Sequence, residues 1–132
     1  MGLVMVVSVV LVACSNKGDE AIQGKWNVAT SDETIHSMEI TEDTLTIDVL
    51  EYDYSQVKSG SSNGYDYYVI KVDGDTLYTV IFPDSTDETV AMMVRIEDAG
   101  SPFEGEFVYA MSTEFEPSFA QYQTNFWSSS EE

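Results

Sequence analysis

The chain predicts a mainly β protein: an antiparallel up-and-down meander of about seven or eight strands, rolled into a small barrel or half-barrel, with a short C-terminal helix. Three observations carry this. Apolar residues recur at every second position in runs between Trp26 and Met111, the period of a strand with one buried face. The segments joining these runs are short, with no crossover long enough for parallel pairing. Then the period changes: Phe115, Phe119, Tyr122 and Phe126 are spaced four, three and four apart, one stripe of a helix.

In order, Gly24-Lys25-Trp26 opens a first strand, Lys25 to Thr30, with Trp26 and Val28 on one face. Ile40-Thr41-Glu42-Asp43-Thr44-Leu45 and Val72-Asp73-Gly74-Asp75-Thr76-Leu77 share the form aliphatic-x-x-Asp-Thr-Leu between alternating runs, so each reads as a hairpin turn. Pairing the flanking aliphatics puts His36, Met38, Ile40, Leu45, Ile47 and Val49 on one face of the first hairpin. It puts Tyr68, Ile70, Val72, Leu77, Thr79 and Ile81 together in the second. Between the hairpins the apolar phase slips to Leu50, Tyr52 and Tyr54, which a β-bulge near Val49–Leu50 would explain, giving seven strands. Ser59–Gly64 reads as a polar loop and Pro83–Glu88 as an acidic turn. Thr89–Ile96 puts Val90, Met92, Val94 and Ile96 on one face, and Glu97–Pro102 turns again. Glu104–Met111 alternates Phe107, Tyr109 and Met111. Pro117 suits the first turn of a helix over about 117–127, because its missing N–H costs nothing there.

Ahead of the β region, an uncharged apolar run from Leu3 to Val12 ends in Leu11-Val12-Ala13-Cys14. Ten apolar residues are too few to span a bilayer as a helix, which needs about 20. Small residues before a cysteine mark a secretory cleavage site. Here the chain resembles bacterial lipoproteins, whose lipobox has the form Leu-x-Ala/Gly-Cys. The resemblance implies a signal peptide at 1–13, a lipid on Cys14 and a location on the extracytoplasmic face of a cell-envelope membrane. Residues 14–23 then form the lipidated cysteine and a polar tether, 24–127 the β-domain, and 128–132 a polar tail.

All 24 acidic and 5 basic residues lie beyond Cys14, so that part carries the whole formal charge of −19. Such a surface repels phosphate backbones, which excludes nucleic acid as a partner. It also repels anionic lipid, so the membrane is reached through the lipid on Cys14. The single cysteine rules out a disulfide framework and a thiolate metal cluster.

Gly24-Lys25-Trp26 at the start of the first strand is similar to the Gly-x-Trp motif of lipocalins and related barrels. In that family the tryptophan plugs one end of the barrel and the interior holds a small apolar ligand. A core tryptophan beside a strand-opening glycine is the plainer reading of the same residues.

Tyr65, Tyr67, Val69, Tyr78, Val80, Phe82, Ala91 and Met93 line the face opposite the aliphatic one. A solvated face would be polar, so this region is covered on both sides, either by the C-terminal helix or by a ligand or partner. Trp26, Tyr67, Tyr78 and Met93 are the candidate ligand-binding residues. The lone His36 shares its face with Met38 and Ile47, as a hydrogen-bonded core histidine does. One histidine and no thiolate make a zinc site improbable. The acidic clusters lack calcium-loop spacing, and there is no Gly-x-Ser-x-Gly. The expectation is a non-enzymatic binding protein with no metal or cofactor, holding a small apolar ligand or envelope lipid in the barrel. The rival is an interaction module docking an envelope protein through an exposed aromatic face.

Overall fold

The computed structural model describes residues 17–127, so the expected signal peptide at 1–13, Cys14 and the tail at 128–132 lie outside the described residues. Eight antiparallel strands close into one barrel in sequence order. They are β1 (Gly24–Ala29), β2 (Ile35–Ile40), β3 (Thr44–Ile47), β4 (Leu50–Ser62), β5 (Tyr65–Val72), β6 (Thr76–Phe82), β7 (Val90–Ile96) and β8 (Gly105–Ser112). Closure is made where β1 meets β8, through Asn27↔Ser112, Val28↔Met111 and Ala29↔Ala110. Helix α1, Phe119–Tyr122, follows and widens into π-helical turns over Gln123–Trp127.

Strand alternation sorts the apolar side chains into two sets. Inside, Trp26, Val28, Met38, Ile40, Leu45, Ile70, Val80, Phe82, Met93 and Met111 belong to the barrel core. Outside, Val69, Ile81, Met92, Val94, Ile96, Phe107 and Ala110 form a second cluster with Phe119 and Tyr122. The wall from β5 to β8 is thus apolar on both faces because it is buried on both faces. The outer cover has two parts. Helix α1 packs through Phe119 and Tyr122. The 97–104 loop folds back, setting Phe103 edge-on to Tyr67 at 5.1 Å, with the Thr79 hydroxyl donating to the Pro102 carbonyl at 2.6 Å.

Local turn chemistry corrects several sequence expectations. The slip after Ile47 is a tight turn and not a bulge: Ile47 pairs with Leu50, and Asp48 takes a φ of 55°. Val49, expected on the buried face, sits at the turn tip and is 90% exposed. That turn splits one expected strand into β3 and β4 and raises the count to eight. Ser59–Gly64 is not a loop either. β4 runs on to Ser62, and Asn63-Gly64, both at positive φ, turn directly into Tyr65, the strongest short hairpin signal. True bulges fall between Gln56 and Lys58 on β4 and opposite Met93–Val94 on β8, where Val108 is extra. The second of these puts Phe107 on the outer face while Tyr109 and Met111 stay inside.

The two similar turns differ by one residue. Ile40 pairs with Leu45 as expected, but Val72 pairs with Thr76, and Leu77 with Lys71. Leu77, Thr79 and Ile81 therefore face outward, and Tyr78, Val80 and Phe82 inward, the reverse of the expected grouping. The physical difference is Gly74, at φ 92° behind Asp73 at φ 56°. Two consecutive left-handed residues tighten the turn to three. In the first turn Thr41 and Thr44 instead lock a four-residue loop, with their hydroxyls 2.7 Å apart and the Thr44 N–H donating to the Thr41 hydroxyl.

Residues 17–23, expected as the end of a polar tether, fold across one end of the barrel. The Gly18 N–H donates to the Glu42 carbonyl at 2.7 Å and the Asp19 N–H to Gln56 Oε1 at 2.8 Å, so the segment spans from the β2–β3 turn to β4. Ile22 is driven fully inside, at 0% exposure. Its carbonyl accepts the Trp26 indole N–H at 3.0 Å. Phe82 packs against Trp26, with centroids 6.1 Å apart, and Tyr68 stands edge-on to Phe82 at 5.8 Å. This end is sealed.

Candidate functional site

The opposite end opens into a cavity of about 230 Å³. Its deep part is Met38 and Met93, 2% and 1% exposed, with Leu45 beside them. Its wall carries Tyr52, Tyr78 and Tyr109, and its lip Asp73 and Thr76 of the β5–β6 turn. The inward phase of β2 through β8 supplies these side chains, with Asp73 coming from the β5–β6 turn, and the same short turn that reverses the face of β6 brings Tyr78 inside.

The three tyrosines differ from the barrel's structural ones. The Tyr54 hydroxyl donates to the Thr41 carbonyl at 2.5 Å, and the Tyr122 hydroxyl to the Met111 carbonyl at 3.0 Å. The hydroxyls of Tyr52, Tyr78 and Tyr109 have no such protein partner among the described residues, and they line the open space. Burial pushes the phenols of Tyr78 and Tyr109 up from their ordinary pKa; Arg95 opposes this at Tyr78, while Tyr78, Tyr52 and Asp48 add to it at Tyr109. Both stay neutral near pH 7. Arg95 does not line the cavity and is bonded to Glu106 at 2.8 Å.

Beside the mouth, His36 Nδ1 lies 2.7 Å from Asp48 Oδ2, and the Ser37 N–H donates to Asp48 Oδ1 at 3.2 Å. The His36 bond first, then the Ser37 bond, holds the Asp48 carboxyl below its usual range. The expected core histidine is a half-exposed clasp on the β3–β4 turn.

The four candidate ligand residues do not form one site. Tyr78 and Met93 line the cavity. Trp26 is at the sealed end, its indole N–H already used. Tyr67 is outside: its ring lies over Gly60 on the paired strand, so close that a Cβ there would meet the hydroxyl at 2.7 Å, and against Phe103. Missed in sequence were Tyr52, Tyr109, Met38 and the lip residue Asp73. Two signals could have found the tyrosines. Tyr52 alternates with Tyr54 after the slip, and Tyr109 alternates with Met111.

On the outer wall a second hollow of about 210 Å³ lies among Tyr65, Ile81, Met92, Phe103, Phe126 and Trp127. Among the described residues no group of three or more His, Cys, Asp or Glu could hold a metal ion. No helix among them is long and apolar enough to cross a membrane. No protein-family model matches the chain, and no curated protein or solved structure does either.

Proposed function

We propose that this chain is a non-catalytic binding protein of the cell envelope, anchored by a lipid on Cys14 and holding a small, mostly apolar ligand in the open end of its barrel. The observation that carries this is the cavity: sealed at one end by Ile22 and Trp26, open at the other, with three interior tyrosine hydroxyls that have no partner among the described residues. Pockets of this kind, apolar with a few convergent polar groups, are where ligands bind. The volume argues against a whole envelope lipid. A dry cavity of about 150 Å³ holds one benzene ring, so 230 Å³ suits a ring with a short substituent.

Titration with p-cresol, followed through the methyl carbons of the methionines, tests the binding. Met38 and Met93 should shift saturably while Met92, on the outer wall, stays still. Unmoved Met38 and Met93 at millimolar probe would sink the reading. The anchor has its own test: Cys14→Ala should release the protein from membranes or leave it unprocessed.

A second reading, docking of an envelope protein, is favoured only by the outer hollow beside Phe103 and Trp127. Most of the aromatic outer wall is already covered by the 97–104 loop and helix α1, which leaves little for a partner.

A further inference from the structure

The cavity's chemistry sorts ligands by charge. Its wall presents the rings of Tyr52, Tyr78 and Tyr109, and among the described residues its only charged lining group is Asp73. That carboxylate has no cationic partner among the described residues, and the nearby Arg95 is engaged by Glu106. An anion entering here meets no cationic lining group among the described residues. Arg95, the one cation felt at Tyr78, acts from outside the cavity and is paired with Glu106, while Asp73 and, beside the mouth, Asp48 repel the anion. A neutral ligand gains apolar contact and, where it carries a polar atom, hydrogen bonds to the phenol hydroxyls, but no charge attraction. A cation gains the negative π-faces of the phenols, which attract ammonium groups, the phenol oxygens as acceptors, and the Asp73 carboxylate. The chain's net charge of −19 raises the local concentration of cations around the mouth.

Depth decides orientation. Met38 and Met93 at the bottom are polarisable and apolar, suited to a ring or a branched alkyl body. The tyrosines and Asp73 lie toward the opening, where water still reaches the charge, so the cost of desolvating a cation is limited. A quaternary or substituted ammonium, weakly hydrated to begin with, loses least.

We propose that the cavity takes a small organic cation, one ring or branched alkyl body bearing an ammonium group, seated body-first on Met38 and Met93 with its charge among Tyr52, Tyr78, Tyr109 and Asp73. This rests on the reading of the cavity as a ligand site and adds the ligand's charge to it.

The test compares two probes of one shape, phenyltrimethylammonium and its neutral isostere tert-butylbenzene, titrated into the full chain and read on the methionine methyl carbons. The cation should bind about tenfold more tightly at low salt, and the ratio should shrink as salt screens Asp73. Asp73→Asn, which keeps a residue tolerant of the left-handed backbone there, should cut the preference several-fold without changing affinity for tert-butylbenzene. Equal or tighter binding of the neutral probe overturns the cation inference and leaves the binding reading standing. An unchanged preference in Asp73→Asn overturns the role of the carboxylate. No shift at Met38 or Met93 with either probe overturns the binding reading and this one with it.

Discussion

The ring of Phe119 lies on the ring of Phe107, with centroids 4.2 Å apart and planes 13° from parallel. This pair fastens helix α1 to the outside of the barrel and not over its mouth, so the helix is a cover and leaves the cavity open. Two further contacts hold it. Glu33, from the β1–β2 loop, accepts the Phe119 and Ala120 N–H groups at 2.9 Å each, and the Ser118 hydroxyl caps Gln121. Phe115, expected at the head of the helical stripe, lies before the helix and is 48% exposed.

Phe119→Ala should therefore cost about 3 kcal/mol, the low end for a buried phenylalanine because one side of the helix faces water. Urea denaturation measures it. A loss under about 1 kcal/mol would mean that Phe107 is not stabilised by this stacking.

The inverted face of β6 is tested by paired charge substitutions. Val80→Asp puts an unpaired charge into the barrel and should cost several kcal/mol. Leu77→Asp, on the half-buried outer face, should cost only about 1 kcal/mol. A greater loss at Leu77 than at Val80 would restore the register in which Val72 faces Leu77.

The seal predicts that Ile22 matters as much as a strand residue. Ile22→Ala should destabilise by about 2–5 kcal/mol, as deep core truncations do, although the segment around it is otherwise polar. Trp26→Phe removes the donor to the Ile22 carbonyl and should cost at least ~1 kcal/mol on that account. Thermal melts unchanged in both variants would mean that residues 17–23 contribute nothing to closure.

Acid titration should find three turn carboxylates held low: Asp32, Asp48 and Asp84, the last bonded by the Thr86 hydroxyl. Asp32, bonded first by the Thr30 hydroxyl and then by Thr34, is lowered from 3.8 to about 2. Because the folded value lies below the unfolded one, its contribution is complete above 3.8 and is lost as pH falls through about 2. Asp48 shifts in the same direction because of His36. Carboxyl-carbon NMR on His36→Ala should find Asp48 moved back toward its ordinary value and Asp32 unmoved; an unmoved Asp48 would deny the clasp.

Strand periodicity made the barrel legible, since alternation from Trp26 to Met111 and short connections leave few other solutions. The Ile40–Leu45 pairing was legible too. What escaped were single-residue events that flip a face: the turn at Asp48, the three-residue turn around Gly74 and the bulge at Val108. Each changes the backbone at one or two residues or inserts one residue and leaves hydrophobicity unchanged, so a pattern of period two cannot place it. The candidate site suffered for this reason. Tyr67 and Tyr78 looked like neighbours on one face because the turn between them was counted one residue too long. Ile22 was hidden differently, as one apolar residue in a polar stretch.

The sealing of the barrel by residues 17–23 also sets which way the molecule stands. Gly18 is fixed to the Glu42 carbonyl, and Lys17 reaches Glu42 and Asp43 at 3.8 and 3.5 Å, a few residues past Cys14. With the proposed lipid on Cys14, the leash between acyl chains and folded protein is roughly 10 Å at full stretch. Repulsion between an acidic barrel and anionic headgroups would hold the two apart. Under that proposal the barrel would stand with its closed base toward the bilayer and its mouth toward the aqueous phase, and a ligand would be exchanged with water and not with the leaflet beneath.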